Sequence, residues 1–279
     1  MDIARSGGSN DEQTQECQIP AQVCHPEREF SVTKPHEAKT EAATAGQIGA
    51  ELAEYARALG AELYGVASAA DYVREFPDKP SPERLVEGAQ SVIIIGLPFE
   101  PGTVATVLRP ELAGLRRKAS DQVSTSNVQP AGAERFFLGE ENDILIRELS
   151  LMGYKIAKYL RHQGWAALHL PPGAQDSRFR TAPFYHMPAM YLAGMGTLGL
   201  NCAILTPEFG PRVYVTCIIT DCPLPAGKPM GEEMCEHCEL CVESCPIGAI
   251  DGQGWKNPFA CASYGCCSTC IAICPVGEI

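Results

Sequence analysis

The 279-residue chain lacks any long apolar run. No stretch approaches the roughly 20 apolar residues that a bilayer-spanning helix needs. The start, Met1 to Asn10, has none of the apolar core of a secretion signal. These absences lead us to expect a cytoplasmic protein with no membrane span. Basic charge is scarce too: 22 Lys and Arg stand against 34 Asp and Glu, a net charge of −12. A nucleic-acid footprint needs clustered Lys and Arg, so this balance argues against such a partner. The basic patch at Arg116, Arg117 and Lys118 lies inside the chain and does not read as a twin-arginine export signal.

Cysteine, by contrast, is abundant, with 14 residues. In a chain with no secretion signal, crowded cysteines point to metal rather than to disulfides. Nine of them lie between Cys235 and Cys274, which makes a local site. The other five are isolated. Cys202 and Cys217 are expected to act as small buried hydrophobes, and Cys17 and Cys24 as exposed thiols of a tail.

The chain divides into three parts. Residues 1 to 43 are polar and aperiodic, the composition of a disordered arm. Residues 44 to 225 alternate helical and strand patterns. Ile48, Leu52, Tyr55 and Leu59 share a helix face that Gly60 ends. Strands are expected at Leu63 to Ala67 and at Ser91 to Leu97, whose unbroken β-branched run marks burial on both faces. Residues 101 to 132 read as a long loop, a candidate lid. A helix over Asn142 to His162 follows, then a strand at Trp165 to Leu170 and a helix from Tyr185 to Ala193. Strands at Ala203 to Thr206 and Arg212 to Thr220 close an α/β body. Residues 226 to 279 hold too little apolar material for a core, so metal must stabilise them.

The cysteine spacing names the metal. Cys235-x2-Cys238-x2-Cys241-x3-Cys245-Pro246 is the run by which bacterial-type ferredoxins wrap a [4Fe–4S] cubane. Cys267-x2-Cys270-x3-Cys274-Pro275 repeats its tail, preceded by Cys261 and Cys266. In such pairs the last cysteine of each run ligates the other cluster. One cluster is therefore expected on Cys235, Cys238, Cys241 and Cys274, the other on Cys245, Cys267, Cys270 and Cys261. Cys266 competes for that last place, but adjacent side chains diverge and rarely reach two irons of one cube. A zinc ribbon would need only paired C-x2-C hooks and would leave both Cys-Pro tails without a role. His237 is expected to be solvated. Two cubanes in one small fold form a short wire, which implies low-potential electron transfer in an oxygen-poor compartment.

The body carries a resemblance. Thr181-Ala182-Pro183, followed by Ala193-Gly194-Met195-Gly196-Thr197-Leu198-Gly199, resembles a motif of epoxyqueuosine reductases. Leu205 to Val213 and Thr220 to Leu224 resemble both that family and the reductive dehalogenases, and Cys267 to Pro275 is most similar to the dehalogenases. The resemblance implies a degenerate nitroreductase-like α+β body that binds cobalamin base-off, beside a ferredoxin-like domain whose two [4Fe–4S] clusters reduce it. The expected partners are a ferredoxin- or flavodoxin-type electron donor and a small-molecule substrate or corrinoid protein. The alternatives are a reducing partner with no substrate of its own, or a body that keeps a flavin.

Gly194, Gly196 and Gly199 lack Cβ and are expected to let backbone approach a large planar ligand. Tyr185 and His186 are candidate proton donors, and Arg178 and Arg180 flank them, ready to lower a phenol pKa or to hold an anion. Two positions depart from the epoxyqueuosine reductase pattern. Arg180 stands where those enzymes place an acid, and Leu200 where they carry a basic residue. The chain also ends at Ile279, ahead of the helical extension associated with tRNA binding, which adds to the expectation that nucleic acid is not its substrate.

Overall fold

The strand Ser91–Pro98 organises the body, and its sequence explains why. Seven of its eight residues are buried. Ile93, Ile95 and Leu97 enter one apolar cluster, and Val92 and Ile94 enter another. A strand with both faces covered needs a layer on each side. The computed structural model describes residues 45–108, 133–173 and 181–277, all within one compact unit, Pro35–Ile279.

In chain order the elements are α1 (Ala45–Ala58), β1 (Leu63–Ser68), α2 (Ala69–Glu75), β2 (Ser91–Pro98), α3 (Pro101–Val107) and α4 (Ala133–His162). There follow β3 (Ala167–Leu170), α5 (His186–Leu192), β4 (Thr197–Leu198), β5 (Ile204–Leu205) and β6 (Val213–Thr220). Three short helices lie in the cysteine segment: α6 (Leu240–Glu243), α7 (Pro258–Ser263) and α8 (Thr269–Ala272). The main sheet has the order β1-β2-β6-β3, antiparallel throughout. Helices α1 and α4 cover one face through Leu52, Leu149, Ile156 and Leu160. Helices α2 and α5 cover the other through Tyr72, Ala189, Met190 and Leu192. The expected α/β class holds, as a three-layer body followed by a ferredoxin-like segment. No helix among the described residues is long and apolar enough to cross a membrane.

Two helices stand where none was expected. Helix α2 begins directly after β1 because Ser68 caps it, its Oγ accepting from the Asp71 amide at 3.2 Å. Helix α3 begins at Pro101, inside the expected loop. A first-turn proline has no amide to leave unpaired and already has a helical φ. The rest of that stretch, residues 109–132 with Arg116, Arg117 and Lys118, lies outside the described residues, as do residues 1–43 with Cys17 and Cys24. Helix α4 starts at Ala133, earlier than the apolar pattern from Asn142 indicated.

Ser91 ties this core to the segment that leads to the cysteines. Its buried Oγ donates to the Cys222 carbonyl at 2.7 Å and accepts from the Leu224 amide at 2.9 Å. Cys222 is fully buried beside it, and burial pushes its thiol up to about 11. Replacing Ser91 by Ala removes the hydroxyl that binds both groups and leaves them only their bond to each other at 2.9 Å. It should cost about 1 kcal/mol of stability, read as a lower urea midpoint with an unchanged slope.

Candidate metal centre and its seam with the body

The cysteine segment folds as one hook used twice. In the first, His237 (φ 52°) and Glu239 (φ 60°) are left-handed, and α6 follows Glu239. In the second, Cys266 (φ 52°) and Ser268 (φ 58°) are left-handed, and α8 follows Ser268. The turn bonds match as well. The amides of Val242, Glu243, Ser244 and Cys245 donate to Glu239, Glu239, Leu240 and Val242; those of Ile271, Ala272, Ile273 and Cys274 donate to Ser268, Ser268, Thr269 and Ile271. Non-glycine residues in this region cost about 1 kcal/mol or more each, so four of them in register mark a shape imposed by what the hooks enclose.

The repeat fixes correspondences between the hooks. Cys238, Cys241 and Cys245 align with Cys267, Cys270 and Cys274. His237 aligns with Cys266, and Cys235 with Tyr264. Cys266 thus occupies the hinge place that His237 holds in the first hook. It is exposed and lies outside the lining of either void described below. Tyr264 brings no sulfur, and Cys261 on α7 supplies one instead.

Two voids result. Cys235, Cys238, Cys241 and Cys274 face the first, which Gly199, Leu200, Asn201 and Leu205 of the body also line. Cys245, Cys261, Cys267 and Cys270 face the second, walled by residues of the segment itself, among them Ile247, Ile250 and Lys256. The first void is therefore the inner one and the second the outer. Each encloses about 350 Å³ of empty space, counting its open mouth. Among the described residues no three His, Cys, Asp or Glu side chains converge closely enough to hold a single metal ion. Four cysteines line each void, the number of thiolates that holds a cubane.

Burial raises the thiol pKa of Cys241, Cys270 and Cys274, and the nearby Arg212 charge counters it at Cys274. A hydrogen bond shared with Cys266, and then burial, push Cys261 far above the ordinary thiol range. His237 is exposed and pairs with Glu233 at 3.1 Å, the solvated role expected of it.

Sequence reasoning missed the seam between segment and body. Arg212 is 2% exposed. Its guanidinium donates to the Cys274 carbonyl at 2.8 Å and to the Val276 carbonyl at 2.6 Å. Beside it, Gly210 (φ 56°) has no room for a Cβ, because the Val276 carbonyl occupies that space. Asn201 donates to the Cys270 carbonyl at 3.3 Å, and the Met234 amide donates to Thr197 Oγ1 at 2.9 Å. Cys202, expected to be a plain hydrophobe, is half-buried and donates to the Gly254 carbonyl at 3.0 Å. Arg212 and Gly210 stand in the Leu205 to Val213 run, so the motif was visible while its packing role was not.

The glycine run serves the chain itself. A Cβ on Gly196 would run into the Leu205 carbonyl across the β4–β5 pair, and one on Gly194 into the Lys228 carbonyl. Gly199 packs on Leu205 and Asn201 and lines the inner void. The close approach these glycines permit is thus made by the chain's own backbone. Gly196→Val would therefore disturb the β4–β5 pair itself.

The candidate proton donors flank the start of α5. Tyr185 is half-buried, its carbonyl accepts from Tyr72 Oη at 3.1 Å, and Lys79 Nζ lies 5.5 Å from its ring centre. Lys79 is therefore the cation beside this phenol. Arg178 and Arg180 lie outside the described residues. Burial drives the His186 pKa down to about 4, against a hydrogen bond to the Val215 backbone that raises it. His186 is thus neutral near pH 7, and its N–H is already held by that backbone group. This disfavours the donor role expected of it.

A 4Fe–4S binding domain matches residues 231–251, the first hook. An epoxyqueuosine reductase of Bacillus cereus is 26% identical over 272 residues, covering 82% of this chain and 64% of the relative. A tetrachloroethene reductive dehalogenase of Sulfurospirillum multivorans is 34% identical over 108 residues, covering 30% of this chain and 22% of the relative. The chain is similar to epoxyqueuosine reductases and reductive dehalogenases. It carries a 4Fe–4S binding domain and spans 64% of the length of the first relative. The fold agrees. An epoxyqueuosine reductase crystallised with a tRNA-Tyr stem loop superposes with a TM-score of 0.55 at 21% identity, covering 83% of this chain and 66% of that one. A reductive dehalogenase whose structure bears on B12-dependent dehalogenation superposes with a TM-score of 0.50 at 18% identity, covering 77% and 27%.

The repeat distinguishes the two competing thiols of the second hook. Cys266→Ser should leave the iron content of the reconstituted protein unchanged, whereas Cys261→Ser should lower it by about half. Colorimetric iron and acid-labile sulfide assays read the difference, and the opposite pattern would exchange their roles.

Proposed function

We propose that the chain is an iron–sulfur reductase in which two [4Fe–4S] clusters carry electrons from an outer to an inner site and on to an acceptor at the body. The observation that carries this reading is the pair of voids, each faced by four cysteines: the inner one by three of the first hook and Cys274 of the second, the outer one by two of the second hook, Cys245 of the first and Cys261 of α7. When bound, such clusters supply one-electron transfer at low potential. Cys235, Cys238, Cys241 and Cys274 would hold the inner cluster. Cys245, Cys261, Cys267 and Cys270 would hold the outer one. Arg212 and Asn201 fix the inner void against the body by gripping the backbone at Cys274 and Cys270. The hooks are half-exposed toward the outer void, where a ferredoxin- or flavodoxin-type donor would dock.

A corrinoid is the acceptor that the resemblance and the B12-dependent dehalogenase relative support. Tyr185, with Lys79 over its ring, is the proton donor that this reading assigns on the body. The substrate class is a small molecule, with a tRNA stem loop as the competing class that the tRNA-bound relative raises. A second reading, a reducing partner with no substrate of its own, is favoured by one observation: a net charge of −12, which suits docking to a basic partner protein.

Anaerobically reconstituted protein should contain about eight irons and eight acid-labile sulfides per chain. About four irons, or stoichiometric zinc, would overturn the two-cluster reading. Titrating cob(II)alamin into that protein should produce a base-off signal in electron paramagnetic resonance. If none appears at any concentration, the corrinoid reductase reading fails and the reducing partner stands.

A further inference from the structure

The two voids differ in the charges around them. Glu236 and Glu239 line the inner void, and Arg212, gripping the Cys274 carbonyl from the body side, offsets them. The outer void has a cation in its own lining, Lys256. The backbone pins this residue on both sides: Ile250 and Lys256 form an antiparallel bridge, and the Asn257 amide donates to the Ala249 carbonyl at 2.8 Å. Asn257 then caps α7 through the amides of Phe259 and Ala260, which fixes the path from Lys256 to Cys261. The nearest acid in this stretch is Asp251. Its exposed carboxylate accepts the backbone amides of Gln253 and Trp255, a partner set that leaves Lys256 out.

We propose that Lys256 is a potential-setting residue for the outer cluster, a fixed cation that holds that cluster's reduction potential above the value its four-sulfur cage would give alone. The inference rests on the two-cluster reading. Reduction adds one electron to the cage and forms or breaks no bond, and Lys256 keeps its proton throughout. The reductant is a one-electron carrier protein in the cell and dithionite in the test. A cubane on four thiolates is an anion before it accepts the electron and a larger one afterwards. A cation at its edge therefore stabilises the reduced form more than the oxidised form. Lys256 is half-buried, so solvent screens it less than it screens an exposed lysine. A higher potential at the outer site eases its reduction by the arriving carrier, at the site whose walls belong to the segment alone.

The test is a redox titration of the reconstituted full chain under argon, followed by electron paramagnetic resonance, on wild type, Lys256→Gln and Lys256→Arg. Iron counts on the same samples report separately on the two-cluster reading: about eight irons in wild type sustain it, whatever the potentials do. Cys261→Ser, which should retain only the inner cluster, identifies which midpoint is the inner one. Lys256→Gln should lower the outer midpoint by several times the reproducibility of the titration and leave the inner midpoint in place. Lys256→Arg, which keeps the charge, should return the outer midpoint close to wild type. The proposal is overturned if Lys256→Gln shifts neither midpoint, if it shifts both equally, or if Lys256→Arg falls as far as Lys256→Gln. It is also overturned if Lys256→Gln loses the outer cluster while Lys256→Arg keeps it, because the charge would then serve assembly rather than potential.

Discussion

Neither hook encloses a void with its own three cysteines alone. The inner void borrows Cys274 from the second hook, and the outer void borrows Cys245 from the first. This exchange is the constraint from which the rest follows. It forces the two hooks to fold together, and it makes the left-handed residues at His237, Glu239, Cys266 and Ser268 a matched set. The segment has little apolar core to enforce that match, with Ala249, Ile250 and Ala272 among its few buried residues. Metal–thiolate bonding is the remaining source of stabilisation of the right size.

The exchange also explains the seam. Cys274 must be held in place to complete the inner void, and Arg212 holds it from the body. A buried guanidinium costs several kcal/mol in desolvation and persists only where good hydrogen bonds offset that cost. Two backbone carbonyls at 2.8 and 2.6 Å provide them. Gly210 clears the path for Val276, and Asn201 secures the Cys270 turn. The body thus walls part of the inner void, while the outer void is lined by the segment alone.

Much of this was legible in the residues. The unbroken apolar run of Ser91 to Leu97 announced a strand with two covered faces, and the 3.6-residue spacing of Ile48, Leu52 and Leu59 announced the helix beside it. The cysteine spacing separated the two sets of four, and the divergence of adjacent side chains already favoured Cys261 over Cys266. What was illegible depended on long-range packing. Gly194 and Gly196 signal close approach, but a sequence does not say by what, and here the chain's own carbonyls make it. His186 reads as a titrating group until burial moves its pKa to about 4. Pro101 reads as a loop residue unless its place at the first turn of a helix is known. Lys79 and Lys256 carry no motif at all; only the fold sets them beside Tyr185 and the outer void.

The central claim is that two cubanes sit close together as one wire. Electron paramagnetic resonance of the dithionite-reduced chain tests it most directly. The account predicts about two electron spins per chain, in a spectrum broadened by magnetic coupling between neighbouring clusters. A single sharp signal of one spin per chain, or two signals that do not interact, would contradict it.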